Sequence, residues 1–361
     1  MTPQSTLEAA SRPSGQSAGN APARPPADGL PAPDRRRTKA GAMRLVLFFV
    51  LFGTQILGLD ALVRHGLRKI RTSDFGITNR IVAGEINADI VVTGSSRALT
   101  HYDSRIIAER TGRSTFNLGR NGSQTDMQLA VLKMYLRHNA PPKLVIHNLD
   151  LFSMVATHEI YDPAQYLPYL DEPDIYAAVK KIQPAAWKWK YLPLYGYVVE
   201  DMRFTWIRGI LASVGRWGPE THFSGYLPRR QAWTGEFDQY RASNPGGVTF
   251  PVEPDGLSAL SELLATCRQR RIPAILVYSP EYREMQLLER NRKEIFTRFQ
   301  ELAAAFGVQL WDYSGDLISQ QKANFYNSQH LNADGADAFS SELAERLMTS
   351  HLIPEETGHE F

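Results

Sequence analysis

Residues 88–98 read ADIVVTGSSRA, and the fold of the chain turns on this stretch. Ile90, Val91 and Val92 form an uncharged β-branched run, the pattern of a central strand in a parallel sheet covered on both faces. Gly94 then lets the backbone turn sharply. In open α/β sheets the carboxyl ends of the strands border the ligand crevice, so Ser95 or Ser96 should stand in it. Taken alone, a Gly-Ser-Ser turn is common and usually just caps the next helix.

Outward from that strand, helical and extended patterns alternate. Residues 101–110 read as a helix closed by Gly112, and 114–118 as a second strand. Residues 124–139 place Met127, Leu129, Ala130, Leu132, Met134 and Leu136 at helical spacing before Pro141-Pro142 stops them. A third buried strand covers 143–149. Helices over 258–270, 284–306 and 335–348 bracket a fourth strand at 273–278 and a fifth at 308–311. Strands joined by helices imply right-handed crossovers, hence an α/β doubly wound parallel sheet of about five strands. Residues 155–250 break the rhythm with Trp187, Trp189, Trp206, Trp217, Trp233 and many tyrosines. This insertion is read as a cap or cleft wall, its aromatics serving as a local core, a membrane-headgroup interface or a sugar-stacking platform.

The amino-terminal 42 residues, rich in Ala, Pro, Ser, Gly and Arg, should form a disordered cytoplasmic arm. Residues 43–64, with LVLFFVLFGTQILGLDALV at 45–63, are about long enough to cross a bilayer once. Arg35, Arg36, Arg37, Lys39 and Arg44 precede the span and put the amino terminus in the cytoplasm by the positive-inside rule. Arg64, Arg68, Lys69 and Arg71 follow it and weaken that bias. A cleaved signal peptide is the competing reading, but the long arm and the lack of a small-x-small site favour an uncleaved anchor. Residues 65–87 are expected to be a basic linker, 88–350 the globular body and 351–361 a tail. A net charge of +2 gives no reason to expect nucleic acid as a partner. The single Cys267 forms no internal disulfide and should pack as a small hydrophobe. The nine histidines show no metal-ligand spacing, no phosphate-cradling glycine loop appears, and no cofactor is expected.

Four segments lie at strand carboxyl ends or before the last helix: Gly94-Ser95-Ser96-Arg97, Asn117-Leu118-Gly119-Arg120-Asn121-Gly122, His147-Asn148-Leu149-Asp150 and Asn327-Ser328-Gln329-His330. A serine, a histidine and amide donors around one crevice suit acyl transfer. In this order and context the segments resemble the SGNH (GDSL-like) hydrolase superfamily, in particular its membrane-anchored branch that serves cell-envelope O-acylation. The resemblance covers roughly 88–152 and 270–348, and HLNADGADAF at 330–339 carries much of it. It implies the flavodoxin-like SGNH hydrolase fold, Ser96 as nucleophile, His330 as general base, and an oxyanion hole built from Ser96, Gly122 and Asn148. Two departures stand out. The third block reads HNLD rather than Gly-x-Asn-Asp, so Asp150 lies as near to the asparagine's place as Asn148 does. The family aspartate three residues before the histidine is Asn327, which makes Asp312 or Asp334 candidate orienting acids.

The implied function is a serine esterase or O-acyl(acetyl)transferase working through an acyl-enzyme on an acylated cell-envelope polysaccharide or glycolipid. Its body would lie in the periplasm and its helix in the bacterial inner membrane. The alternative suggested by Asn327 is a catalytically impaired subunit that binds glycan or a membrane-bound acyltransferase. A plain periplasmic tether has only the arm and the apolar helix in its favour.

Overall fold

The computed structural model describes residues 35–200 and 202–353. The expected arm up to residue 34 and the tail beyond 353 lie outside the described residues. Five strands, β1 (Ile90–Thr93), β2 (Thr115–Asn117), β3 (Leu144–Asn148), β4 (Ala274–Tyr278) and β5 (Gln309–Asp312), form one sheet. Every pairing is parallel and the order is β2-β1-β3-β4-β5. The helices are α1 (Arg35–Lys69), α2 (Ser73–Val82), α3 (Ser96–His101), α4 (Ser104–Thr111) and α5 (Thr125–His138). In the insertion come α6 (Pro173–Ile182), α7 (Ala186–Tyr191), α8 (Tyr195–Val199), α9 (Arg203–Ser213) and α10 (Glu236–Ser243). The chain closes with α11 (Pro254–Gln269), α12 (Arg283–Gln286), α13 (Arg292–Phe306), α14 (Leu317–Gln320) and α15 (Ala333–Thr349).

The period-two geometry of a strand sends alternate side chains to opposite faces. Ile90, Val92, Leu144, Ile146 and Val277 pack on one side with Ala98 of α3, Ile107 of α4 and Phe339 and Leu343 of α15. Val91, Val145 and Leu276 pack on the other with Leu132 of α5, Leu263 of α11 and Phe299 of α13. Burial on both faces is why these strands carry no polar alternation. From β1 the chain goes to β2 on one side and later to β3 on the other, so the order reverses at β1. A crevice opens at the carboxyl ends beside such a switch point.

Several boundaries differ from the sequence reading. Residues 35–42 begin α1 rather than ending a disordered arm. Residues 65–87 are not a linker: α1 runs to Lys69, α2 follows, and Val63, Leu67, Ile70, Phe75, Ile77 and Ile81 are buried. Among the described residues one helix, α1, is long and apolar enough to cross a membrane. Its Asp60 accepts from Arg64 Nε at 2.8 Å and from the Leu194 N–H at 2.8 Å, so the insertion grips its last turns. The helix expected at 101–110 is two, because the Asp103 carboxylate caps α4 by accepting from Arg105 N at 2.9 Å. The helix expected at 284–306 is interrupted between α12 and α13, where Val248 N–H donates to Leu288 O and Arg290 N–H to Val248 O. That backbone pairing with the end of the insertion competes with helical bonds.

Cys267 is buried in α11, as its helical pattern implies, and burial pushes its thiol up to about 12. The insertion contains helices and no strand among its described residues, and it divides its aromatics. Tyr166, Tyr169, Trp189 and Tyr197 join the core beside α5, whereas Tyr161, Trp187, Tyr191 and Trp217 are exposed.

Gly94 is the hinge between β1 and α3. Its φ is +149°, and a Cβ there would come within 2.7 Å of Ala98 Cβ and 2.9 Å of Asn148 Cβ. Gly94→Ala should therefore lower unfolding free energy by about 3 kcal/mol in urea melts, from backbone strain plus overpacking. At Gly112 φ is +65° and a Cβ meets nothing within 4 Å, so Gly112→Ala should cost only about 1 kcal/mol.

Candidate functional site

Ser95 and Ser96 separate into two roles. Ser95 Oγ caps α3 by accepting the Arg97 N–H at 3.2 Å. Ser96, first residue of that helix and partly exposed, places Oγ 2.8 Å from His330 Nε2. The candidate nucleophile and base are therefore in hydrogen-bond contact across the whole sheet-forming part of the chain.

His330 is held by a tight loop between two fully buried anchors, Phe325 and Leu331, which face each other in an antiparallel bridge. Tyr326 N–H donates to His330 O at 3.1 Å, and the Tyr326 ring stacks on the imidazole at 5.3 Å and 18°. Asn332 then caps α15 by accepting from Gly335 N at 3.0 Å. Asn327 Oδ1 receives the N–H groups of Gln329 (3.1 Å) and His330 (3.0 Å) and lies 2.9 Å from His330 Nδ1. Two backbone donors identify that atom as the oxygen, so Nδ1 carries the proton and the Nε2 lone pair faces Ser96. Asn327 thus sets the base tautomer without supplying charge.

No carboxylate replaces that charge. Asp312, at the end of β5, is exposed and caps its own turn by accepting from Ser314 N at 2.9 Å. Asp334 is exposed on the first turn of α15. The sequence expectation that either orients the imidazole is corrected: Nδ1 is already taken by Asn327. Burial, together with the positive charges of Arg97 and Arg229, pushes the His330 pKa down to about 3.

The oxyanion candidates also divide. Ser96 N–H occupies the first position of α3, where a helix offers no carbonyl partner. Gly122 sits at φ +64°, and the turn it forms uses the Ser123 N–H (to Arg120 O, 3.4 Å), not its own. The exposed Tyr161 ring lies over Gly122, 2.2 Å from where a Cβ would be, so only glycine fits. Asn148 is fully buried: its Oδ1 accepts from Tyr102 OH at 2.8 Å, and its Nδ2 turns to Leu149 O at 3.2 Å and Asp150 Oδ1 at 3.4 Å. Its side chain is committed to the strand end rather than to the crevice.

Beneath the pair lie Arg97 and Asp150, which the sequence reading named without pairing them, and His101, which it did not single out. The Arg97 guanidinium is buried, donating to Ser279 O at 2.5 Å, Pro280 O at 3.3 Å and Asp150 Oδ1 at 3.4 Å, with the Tyr278 ring 4.5 Å away. Burial pushes the Asp150 carboxyl up to about 6 even with that cation beside it. His101 Nε2 accepts the Leu331 N–H at 3.0 Å, so its Nδ1–H donates to Ser279 Oγ at 2.9 Å and locks α3 to the histidine loop. Burial keeps His101 well below the ordinary histidine range. Two clefts flank that loop. One, about 820 Å³, is lined by Arg229, Arg230, Trp233, Lys322, Asp334 and Asp337 among others. The other, about 410 Å³, is lined by Asn327, Ser328 and Gln329 with Phe237 and Tyr240. Neither lining includes Ser96 itself. Among the described residues no group of three or more His, Cys, Asp or Glu side chains could hold a metal ion.

With His330 neutral down to about pH 3, modification of Ser96 by a fluorophosphonate should show no acid limb between pH 8 and 5. In Asn327→Asp a carboxylate beside Nδ1 should raise the imidazole pKa, bring an acid limb into that range and increase the rate at pH 8 at least tenfold. Rate-against-pH profiles of the two proteins check both statements.

No protein-family model matches the chain and no curated protein matches it, so the site stands on its own geometry.

Proposed function

We propose that the chain is a membrane-anchored serine esterase or O-acyltransferase of the SGNH type. The observation that carries this reading is the 2.8 Å contact between Ser96 Oγ and His330 Nε2, with His330 Nδ1–H directed at Asn327 Oδ1. In the proposed reaction His330 Nε2 takes the Ser96 proton as Oγ attacks an ester carbonyl. The N–H groups of Ser96 and Gly122 receive the developing oxyanion, each worth about 3 kcal/mol of barrier. Collapse expels the alcohol, protonated by His330, and leaves an acyl-Ser96. Water or a sugar hydroxyl, deprotonated by His330, then releases the acyl group. The acceptor separates esterase from transferase.

An acylated envelope polysaccharide or glycolipid suits the surroundings. The larger cleft combines the cationic side chains of Arg229, Arg230 and Lys322 and the carboxylates of Asp334 and Asp337 with the Trp233 indole, a polar and aromatic lining that fits a carbohydrate. The apolar α1 would tether the body to the inner membrane of a bacterium, with the amino terminus cytoplasmic and the body periplasmic. A second reading, a catalytically impaired subunit that binds glycan or a membrane-bound acyltransferase, is favoured by the uncharged orienter Asn327 and by the occupied amide of Asn148.

Fluorophosphonate labelling of the full chain in detergent, followed by peptide mass mapping, separates the two. The enzyme reading expects an adduct on Ser96 that vanishes in Ser96→Ala and forms at least a thousandfold more slowly in His330→Ala. A folded protein that takes no adduct points to the binding role.

A further inference from the structure

Helix α9, RFTWIRGILAS, carries apolar side chains on its buried and on its exposed side, with Arg203, Thr205, Arg208 and Ser213 between them, whereas a water-facing helix keeps its apolar residues to one stripe. Gly209 and Ala212 are buried, and Trp206 and Ile210 pack against the core. Yet Phe204, Ile207, Leu211 and Val214, spaced three, four and three residues apart, form a second apolar row that faces outward, with Phe204 80% and Val214 72% exposed. The preceding α8 continues the row with Val198 at 70% and Val199 at 55% exposed. On α7, Trp187 and Tyr191 are exposed as well. Among the described residues no group covers this surface, and an exposed apolar area of this extent marks an interaction site.

Its position indicates the occupant. α9 crosses the last turns of α1 at a backbone-to-backbone contact: a Cβ on Gly66 would fall 1.8 Å from Gly209 O, and one on Gly209 would fall 2.7 Å from Val63 O. Arg64 Nη2 donates to Trp189 O at 3.2 Å, and Asp60 holds the Leu194 N–H ahead of α8. The helix that bears the outward row therefore packs on the end of the one described helix long and apolar enough to cross a bilayer. Leu57 and Leu62 of α1 are exposed there too. Lys188, Lys190 and Arg216 neighbour the row in sequence, with Glu200 and Asp201 as the acids between them, and both lysines reach aromatic rings of their own helix, Lys188 to Trp187 at 5.7 Å and Lys190 to Tyr191 at 5.5 Å. Apolar side chains inward of amphipathic aromatics and cations is the arrangement of a segment lying in a headgroup boundary.

We propose that α7–α9 form an interfacial docking surface that lies in the outer boundary of the bilayer crossed by α1, with anionic phospholipid as its ligand. This holds whether or not Ser96 performs acyl transfer, since it rests only on the apolar helix and the exposed row. The insertion then fixes the height of the body above the lipid, which a single helix alone does not.

The test uses the full chain, reconstituted in phosphatidylethanolamine–phosphatidylglycerol vesicles, with bimane attached at Phe204→Cys, at Val214→Cys or, as control, at Leu317→Cys. Leu317 is equally exposed but lies on α14, on the opposite face of the sheet. The native Cys267 is buried and stays unlabelled, which the unsubstituted chain verifies. Shallow nitroxide lipids should quench positions 204 and 214 at least threefold more than 317, and aqueous iodide should show the reverse order. Replacing phosphatidylglycerol by phosphatidylcholine should reduce the lipid quenching, as should F204E/L211E, two changes at exposed positions that leave the circular dichroism spectrum intact. Equal quenching at all three sites would overturn the proposal. So would protection at 204 that appears only at high protein-to-lipid ratio, which would assign the row to a second copy of the chain.

Discussion

A single carbonyl oxygen, Asn327 Oδ1, gathers the N–H groups of Gln329 and His330 and the Nδ1–H of His330, and the chemistry of the site depends on that convergence. The two backbone donors close the loop into a rigid turn. The ring donor leaves Nε2 unprotonated in front of Ser96. A carboxylate in the same place would do both and would also stabilise the imidazolium that forms on proton transfer. An amide keeps the geometry and gives up the charge. The local positioning of a serine–histidine pair is thus complete here while its electrostatic support is reduced.

The fold and the site were legible in the sequence to different depths. The apolar runs at Ile90–Val92, Leu144–Ile146 and Ile275–Val277 announce buried strands because each side chain meets a packed face, and the parallel order followed from the helices between them. Ser96, Gly122 and His330 were readable because each follows a strand or precedes a helix at a fixed offset. What escaped comes from contacts between distant segments. Tyr161 reaches Gly122 from the insertion, Tyr326 stacks on a ring four residues away only because the loop is pinned at Phe325 and Leu331, and Arg229 acts on His330 through space. Nothing in the pattern around those residues marks them. Asn148 shows the opposite error, since a residue in the expected place spends its amide on Tyr102, Leu149 and Asp150. The basic run at 65–87 misled for a similar reason. Arg68 donates to Pro168 O at 2.7 Å and Arg71 to Glu85 at 2.9 Å, so these charges fasten helices to the body instead of solvating a linker.

The insertion does two kinds of work with one composition. Its inward aromatics, Tyr166, Tyr169, Trp189 and Tyr197, extend the core beside α5, and the hydroxyls of the three tyrosines are pushed upward in pKa by burial, so they remain neutral. The Tyr169 hydroxyl lies 2.7 Å from Asn79 Oδ1, which ties the insertion to α2 and through it to the end of α1. Aromatic content alone could not separate core from surface. The separation comes from which side of α7, α8 and α9 meets α1.

The same two guanidinium groups act in opposite senses on the proposed reaction. Arg97 and Arg229 make the imidazolium of His330 less favourable, which lowers the basicity of Nε2. Nucleophilic attack, however, moves negative charge onto the former carbonyl oxygen while it places a positive charge on the ring. A cation that lies nearer the oxyanion than the ring lowers the barrier, and one nearer the ring raises it. Arg97 is locked by Ser279 O, Pro280 O and Asp150. Arg229 has its guanidinium 6.0 Å from the Tyr326 ring, on the wall of the larger cleft. Burial weighs more on the ring than either cation, so displacing Arg229 alone would not return His330 to the ordinary histidine range.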